Sequence, residues 1–271
     1  MVTLRRTVRL AVNPANTGDG HSPAAQDLNG FGGRPCLDAW GTYIEIEVAC
    51  QGRPDPDTGY LINIKDIDEA VRRSLMPPLE HARAERRPLA SILPALLEAA
   101  AGAIPCRVRS LTLRPTPSHA IHTESNMPGR VILTQRFEFA AAHRLHAAAL
   151  SDEENRRVFG KCNNPAGHGH NYVVEPRVEV AVDRAGGSMS LRELESITTR
   201  VIIEPFDHKH LNVDTAAFRD GSGLNPTVEN IARAFFDLLA PAIAGAGRDA
   251  RLRSIKVWET DRTSAEYGAA D

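Results

Sequence analysis

The 271-residue sequence has little that would staple it, carry it into a membrane or draw it to a polyanion. Its four cysteines, Cys36, Cys50, Cys106 and Cys162, are too sparse and irregularly spaced for a disulfide framework. A reducing, cytoplasmic setting is therefore expected, with Cys162 a free thiol. Aromatic residues are only 5% and the formal net charge is −2, which leaves no long-range field to attract nucleic acid or an anionic membrane. Long apolar runs are missing too. The segment MVTLRRTVRLAVNP is broken by Arg9, is too short for a span or a signal peptide, and reads as a strand. What is present is 42% hydrophobic and 24% charged, the balance of a soluble globular chain with room for two domains of about 130 residues, each burying its own core.

Periodicity sets out the second half. TQRFEFAAAH alternates, with Phe137 and Phe139 on one face, and NYVVEPRVEVAV alternates again after a glycine-rich stretch. In SLRELESITTRVIIEPFD, Ser190 can cap a helix whose Leu191, Leu194, Ile197, Val201 and Ile202 recur at helical spacing. NPTVENIARAFFDLLAPAI predicts a second helix with Pro226 in its first turn, and RLRSIKVWETD a closing strand. The first half repeats this order in TVRLAV, TYIEIEVAC, IKDIDEAVRRSL, PLASILPALLEAAAG and CRVRSLTLRP, the mark of a duplicated domain. Between them SHAIHTESNMPG, residues 118–129, reads as a linker, which puts the boundary near Ser125 and the domains at 1–125 and 126–271.

Residues 160–172, GKCNNPAGHGHNY, place a cysteine close to a His-Gly-His pair. Strand side chains alternate, so His168 and His170 share a face with α-carbons roughly 6.5 to 7 Å apart, from which two imidazoles can converge on one metal. Such a pair by itself is more often the solvated end of a hairpin. His143 ends the neighbouring alternating strand, where antiparallel pairing would bring it in as a third ligand and leave the fourth position of a zinc ion open. Cys162 lies in a loop of roughly 20 or more residues, a length that in compact domains is usually functional or disordered. Its thiolate would act as a base or nucleophile, or would close the zinc shell and make the metal structural. EPFDHKHLN sets Asp207 beside His208 and His210 where a helix ends. An adjacent acid and imidazole can relay protons, although many such pairs only cap helices.

The segments FEFAAAHRL, FGKCNNPAGHGHNY, FDHKHLN, NPTVENI and KVWETD follow one another over about residues 131 to 267. Together they resemble the family of 6-pyruvoyltetrahydropterin synthases and 6-carboxytetrahydropterin synthases, the latter of the queuosine pathway. The resemblance implies Zn2+ held by His143, His168 and His170, with Cys162 as the catalytic cysteine and Asp207 and His208 as the pair that assists it. It further implies Glu259 as the carboxylate anchoring the pterin ring, and Thr227 and Glu229 as residues that help to bind it. Arg144, Lys161 and Lys209 are candidates to meet a triphosphate, though solvated surface charge is the commoner fate of such residues. His146 and His210 receive no role.

The implied fold is α+β, a tandem T-fold in which each half is an antiparallel sheet with two helices packed on one face. Subunits of that fold join sheets edge to edge into a barrel, so a homo-oligomer is expected. The implied activity is a zinc-dependent lyase converting 7,8-dihydroneopterin triphosphate to 6-pyruvoyltetrahydropterin with loss of triphosphate. A 6-carboxytetrahydropterin product and a non-catalytic pterin-binding module are the alternatives. The expected partner is the small pterin triphosphate, with no nucleic acid and no membrane. Aligning Tyr43 with Tyr172 and Ser110 with Ser254 puts Pro14, Ala39 and Gly41 at the positions of the histidines and Pro115 at that of Glu259, with Cys36 near Cys162. The first half is thus expected to be a degenerate copy that binds no catalytic zinc.

Overall fold

The structure, a computed structural model, describes residues 1–12, 41–183, 185–219, 223–246 and 249–268. Pro14, Cys36 and Ala39 lie outside the described residues. In chain order the elements are β1 (Val2–Val12), β2 (Thr42–Gly52), α1 (Ile64–Ala84), α2 (Leu89–Ala103), β3 (Arg107–Thr116), β4 (His119–Glu124), β5 (Arg130–Gln135) and β6 (Phe137–His143). There follow α3 (Asp152–Phe159), β7 (His168–Asp183), β8 (Gly186–Gly187), α4 (Leu191–Thr198), α5 (Glu204–Phe206), β9 (Lys209–His210), α6 (Leu211–Asp214), α7 (Val228–Ala246), β10 (Arg251–Thr260) and β11 (Thr263–Gly268). Two compact units result: Met1–Leu133 with Val180–Ser188, and Thr134–Glu179 with Met189–Asp271.

In the first unit β1, β2, β3 and β4 pair antiparallel in that order. Alternation sorts their side chains onto two faces. Val8, Leu10, Ile44, Ile46, Val48, Leu111 and Leu113 are buried, and α1 and α2 supply Ile67, Leu75, Leu93 and Leu96 to the same core. The other face carries ion pairs, Arg9 with Glu45 at 3.3 Å and Arg5 with Glu47 at 3.5 Å. Helix α1 runs well beyond the expected IKDIDEAVRRSL, through Pro77 and Pro78 to Ala84. The prolines forfeit backbone donors, but Met76, Leu79 and Ala82 stay buried across the break and hold the helix on the core. The expected linker contains β4, whose Ile121 and Thr123 are buried opposite Leu113 and Leu111. A strand this short and this polar carries no readable period.

The second unit repeats the sequence of main elements: β6 and β7, then α4 and α7, then β10 and β11. The alternating run from Thr134 is broken at Arg136, so only Phe137–His143 forms β6. Ser190 caps α4 as expected, in a capping box with Glu193. The helix then loosens through a π-type turn, Thr199–Ile203, before α5. Pro226 precedes α7 instead of sitting in its first turn, and the hydroxyl of Thr227 accepts from Asn230 N at 3.4 Å. Each unit is therefore an antiparallel sheet with a pair of long-range packed helices, the α+β architecture of the T-fold.

One expected correspondence between the halves fails. Tyr172 is fully buried on the apolar face of β7, whereas Tyr43 is 38% exposed and donates to Glu45 Oε1 at 2.9 Å on the charged face of β2. Matching the two tyrosines shifts the strand by one residue, which exchanges its faces. Among the described residues, the buried positions of β1 and β2 before Ala49 are Val8, Leu10, Ala11, Val12, Ile44, Ile46 and Val48.

Candidate metal centre and its surroundings

The histidine cluster follows from one register. Strands β6 and β7 pair antiparallel with Phe137 opposite Val174, Phe139 opposite Tyr172, Ala141 opposite His170 and His143 opposite His168. All of these share the buried face, where Phe139 and Tyr172 stack with ring centroids 5.1 Å apart. The stack brings the strand ends together, so that His143, His168 and His170 meet beyond it. One nitrogen of each lies within 4.8 Å of the others.

Hydrogen bonding fixes how the cluster is wired. His143 Nδ1 is 2.7 Å from the carbonyl oxygen of Pro226, which can only accept, so this nitrogen carries the proton. Nε2 is then a lone-pair donor, and it faces His168 Nε2 at 3.1 Å. Burial is the main reason that the His143 pKa falls to about 4, with the neighbouring histidines adding to the effect, so the ring is neutral at pH 7. Burial also lowers the pKa of His168. His168 Nδ1 and His170 Nε2 are buried without a hydrogen-bond partner. Imidazole nitrogens converging without hydrogen-bond partners suit a cation, and the donor set fits zinc. The Pro226 carbonyl supplies the outer hydrogen bond that orients a ligating histidine.

Glu259 reaches the same place from β10. Ile255 and Val257 are fully buried on the apolar face, and Glu259 continues that alternation. Its Oε1 lies 3.4 Å from His143 Nε2 and 3.6 Å from His170 Nε2. Tyr172, beneath the cluster, has its phenol pKa raised by burial, with Glu259 and Cys162 adding to the shift.

Cys162 sits in a 3-10 turn, Gly160–Asn163, and is half-buried. The long excursion between β6 and β7 is fastened to the backbone after His143. Leu145 N donates to Cys162 O at 2.8 Å, and Asn163 Nδ2 donates to Leu145 O at 2.7 Å. Asn212 grips Arg144 at both backbone atoms, Asn225 Oδ1 accepts from His146 N, and Asn155 takes Ala147 N and returns a bond to Ala147 O. These asparagines were not singled out from the sequence. Arg144 is tied down as well, with Nε on Asn163 O at 3.2 Å, and His146 Nδ1 lies 3.2 Å from Asn163 Nδ2.

Asp207 and His208 form their pair at 2.8 Å and are clipped to β6 on both sides: Ala140 N donates to Asp207 Oδ1, and His208 N to Ala140 O. His208 takes a left-handed φ of 55° and its side chain is 82% exposed. The hydrogen bond to His208 and that from Ala140 hold the Asp207 carboxyl below its usual range, the backbone bond contributing most. Among the described residues no hydrogen bond joins this pair to Cys162. Glu229 is exposed in the first turn of α7. Lys161 and Lys209 are exposed. His210 is half-buried beside Gly167, with its Nδ1 atom buried and unpartnered.

The family described as 6-pyruvoyl tetrahydropterin synthase matches residues 132–270, which carry this whole cluster. The 6-pyruvoyl tetrahydrobiopterin synthase of Homo sapiens is 40% identical over 136 residues, covering 50% of this chain and 89% of that protein. The 6-carboxy-5,6,7,8-tetrahydropterin synthase of Aquifex aeolicus (strain VF5) is 27% identical over 157 residues, covering 50% of this chain and 96% of its own. The solved structure of Caenorhabditis elegans 6-pyruvoyl tetrahydropterin synthase matches at 33% identity and a TM-score of 0.46, covering 52% of this chain and 96% of its own. With the match extending over half of its length, this chain belongs to the 6-pyruvoyl tetrahydropterin synthase family.

Proposed function

We propose that the second unit is a zinc-dependent lyase that converts 7,8-dihydroneopterin triphosphate to 6-pyruvoyltetrahydropterin with loss of triphosphate. The observation that carries this reading is the convergence of His143, His168 and His170, with buried unpartnered nitrogens, on one sheet face. Zn2+ held there would polarise the hydroxyls of the substrate side chain and acidify the protons beside them. The higher identity to the pyruvoyl-forming relative favours that product over 6-carboxytetrahydropterin.

The reaction needs no outside oxidant. The side-chain carbons are oxidised as the ring gains hydrogen, and triphosphate leaves with its electron pair. Cys162, presented by the fastened loop, is assigned the carbon-bound proton. Asp207 holds His208 by its Nδ1, which leaves Nε2 free to pass protons. Both groups stand on segments bonded to β6 or to the residues just after it. The His208 side chain is largely exposed, which leaves its Nε2 open to solvent or to a neighbouring subunit. Glu259 is suited to the pterin, since one carboxylate can accept two parallel hydrogen bonds from the amino group and the adjacent ring NH. Thr227 and Glu229, at the start of α7, are assigned to the same ring.

We infer that the first unit is a degenerate copy retained for architecture. The recurrence of the element order supports this, as do the apolar side chains on the buried face of β1 and β2. Among the described residues β1 pairs only with β2, and β11 only with β10, so each unit presents an open strand edge. Pairing of such edges between copies would close a barrel and cover them.

Product analysis tests the activity. Incubation with 7,8-dihydroneopterin triphosphate should release triphosphate and no acetaldehyde, and Cys162→Ala should lose turnover by at least about 100-fold while keeping its zinc. Acetaldehyde release would establish the carboxy product. Binding of the substrate without turnover by the wild-type protein would leave a pterin-binding module.

A further inference from the structure

We propose that Asn163 is a positioning residue for Cys162, and that it acts as one unit with Arg144 and His146. Its side-chain amide holds the cysteine turn to the segment that leaves β6 and fixes the His146 ring with its proton on Nε2. The inference rests on the reading above, in which Cys162 takes the carbon-bound proton. It also gives a task to His146, for which the sequence supplies none.

The segment after His143 is a platform. Asn212 holds Arg144 at both N and O, and Asn225 Oδ1 accepts from His146 N, so residues 144–146 are fixed as the chain leaves β6. The cysteine turn is fastened to this platform at Leu145, whose N donates to Cys162 O at 2.8 Å and whose O accepts from Asn163 Nδ2 at 2.7 Å. In the second of these bonds the side-chain amide stands in for a backbone N–H. Held by the Cys162 carbonyl alone, the turn would pivot about a single hydrogen bond. The Asn163 amide removes the pivot, and Arg144 Nε, donating to Asn163 O at 3.2 Å, tightens the same joint. The depth of Cys162 relative to His143 is set there.

The His146 ring belongs to the same joint. Leu145 O can only accept, which fixes the nitrogen end of the Asn163 carboxamide beside it and leaves that nitrogen a second hydrogen to give. It lies 3.2 Å from His146 Nδ1, and Arg144 Nη2 lies 3.4 Å from the same atom. Amide and guanidinium nitrogens only donate, so His146 Nδ1 offers a lone pair and the ring proton sits on Nε2. Asn163 is 7% exposed, and both hydrogens of its amide are spent inside the protein. A residue that only shaped the turn would keep its side chain within it, whereas this one reaches across to the strand exit. A displacement of about 1 Å at a reacting group can cost on the order of 100-fold in rate, so a thiol carried on a loop needs such a tether.

The test uses the full-length, zinc-loaded protein and the variants Asn163→Asp, His146→Gln and His146→Leu. Asn163→Asp keeps the shape of the side chain and removes its donors, His146→Gln keeps an acceptor for them, and His146→Leu removes it. NMR with isotope-labelled histidine should show a bare Nδ1 on His146 in the wild type, its signal identified by its absence from His146→Gln. In Asn163→Asp the proton should move to Nδ1, facing the carboxylate. With 7,8-dihydroneopterin triphosphate, Asn163→Asp and His146→Leu should lower kcat at least about tenfold with KM within about twofold, and His146→Gln should stay within about threefold of wild type. The rate at which iodoacetamide alkylates Cys162, followed by peptide mass spectrometry, should change at least about threefold in the same two variants while zinc content does not. A wild-type His146 protonated on Nδ1, or a folded Asn163→Asp with wild-type kcat and alkylation rate, would overturn the proposal. Loss of zinc from Asn163→Asp would overturn it too, by making Asn163 a support of the histidines instead. If circular dichroism shows that Asn163→Asp does not fold, the two His146 variants decide, and equal kcat in both overturns the proposal. A wild-type protein without turnover would overturn the lyase reading, and the proton position and alkylation rates would then judge the tether by themselves.

Discussion

At the scale of single residues, Gly167 shows how narrow the tolerances beside the histidine cluster are. It adopts φ +73°, and a Cβ there would lie 2.6 Å from His210 Nε2 and 3.0 Å from the His143 carbonyl oxygen. Left-handed backbone and steric overlap both act against any side chain. Gly167→Ala should therefore destabilise the protein by about 2 to 4 kcal/mol and lower its zinc affinity, read by urea denaturation and chelator competition. An alanine variant with unchanged stability would mean that His210 can move aside freely. Alternation put His168 and His170 on one face, but the pair alone reads more often as a hairpin end, and His143 with the ordered motifs was needed to make a cluster of it. The asparagines that fasten residues 144–147 were not legible. Asn163 and Asn212 act on backbone atoms 18 and 68 residues away in sequence, and no local pattern encodes partners so distant.

At the scale of elements, the strands and helices came out where hydrophobic period and capping chemistry agreed. Ser190 and Glu193 form both halves of a capping box, with Glu193 Oε2 accepting from Ser190 N at 2.7 Å and Ser190 Oγ from Glu193 N at 3.2 Å. Ser190→Ala removes one half, and should cost about 1 kcal/mol in urea unfolding with no change in the zinc affinity of the folded protein. The elements that the sequence concealed are those held by partners. Strand β4 is formed by pairing with β3, and β11 by pairing with β10. In α1 the pair Pro77–Pro78 signals an end that tertiary burial overrides. Strand β2 shows the opposite error: the tyrosine match looked persuasive, but a period of two makes a one-residue slip a change of face.

At the scale of the whole molecule, the chain forms two compact units, and the three clustered histidines all stand in the second. Zinc content should be one per chain by plasma emission spectrometry, and a value of two would end the view of the first unit as a degenerate copy. Chelation should lower stability through linkage, by about 4 kcal/mol where free zinc stands a thousandfold above its dissociation constant, and readdition should restore it. The sequence by itself determined the types and spacing of the chemical groups, because alternation and capping act over a few residues and leave a periodic trace. It determined the family in the same way, through short motifs in order. Only the tertiary structure decided that His143 stands directly across from His168, that Glu259 arrives within 3.4 Å of His143, and that the Cys162 loop is bonded to the backbone beside the histidines. Those contacts join segments far apart in the chain, and they are fixed by strand register and core packing, which no local stretch of sequence contains.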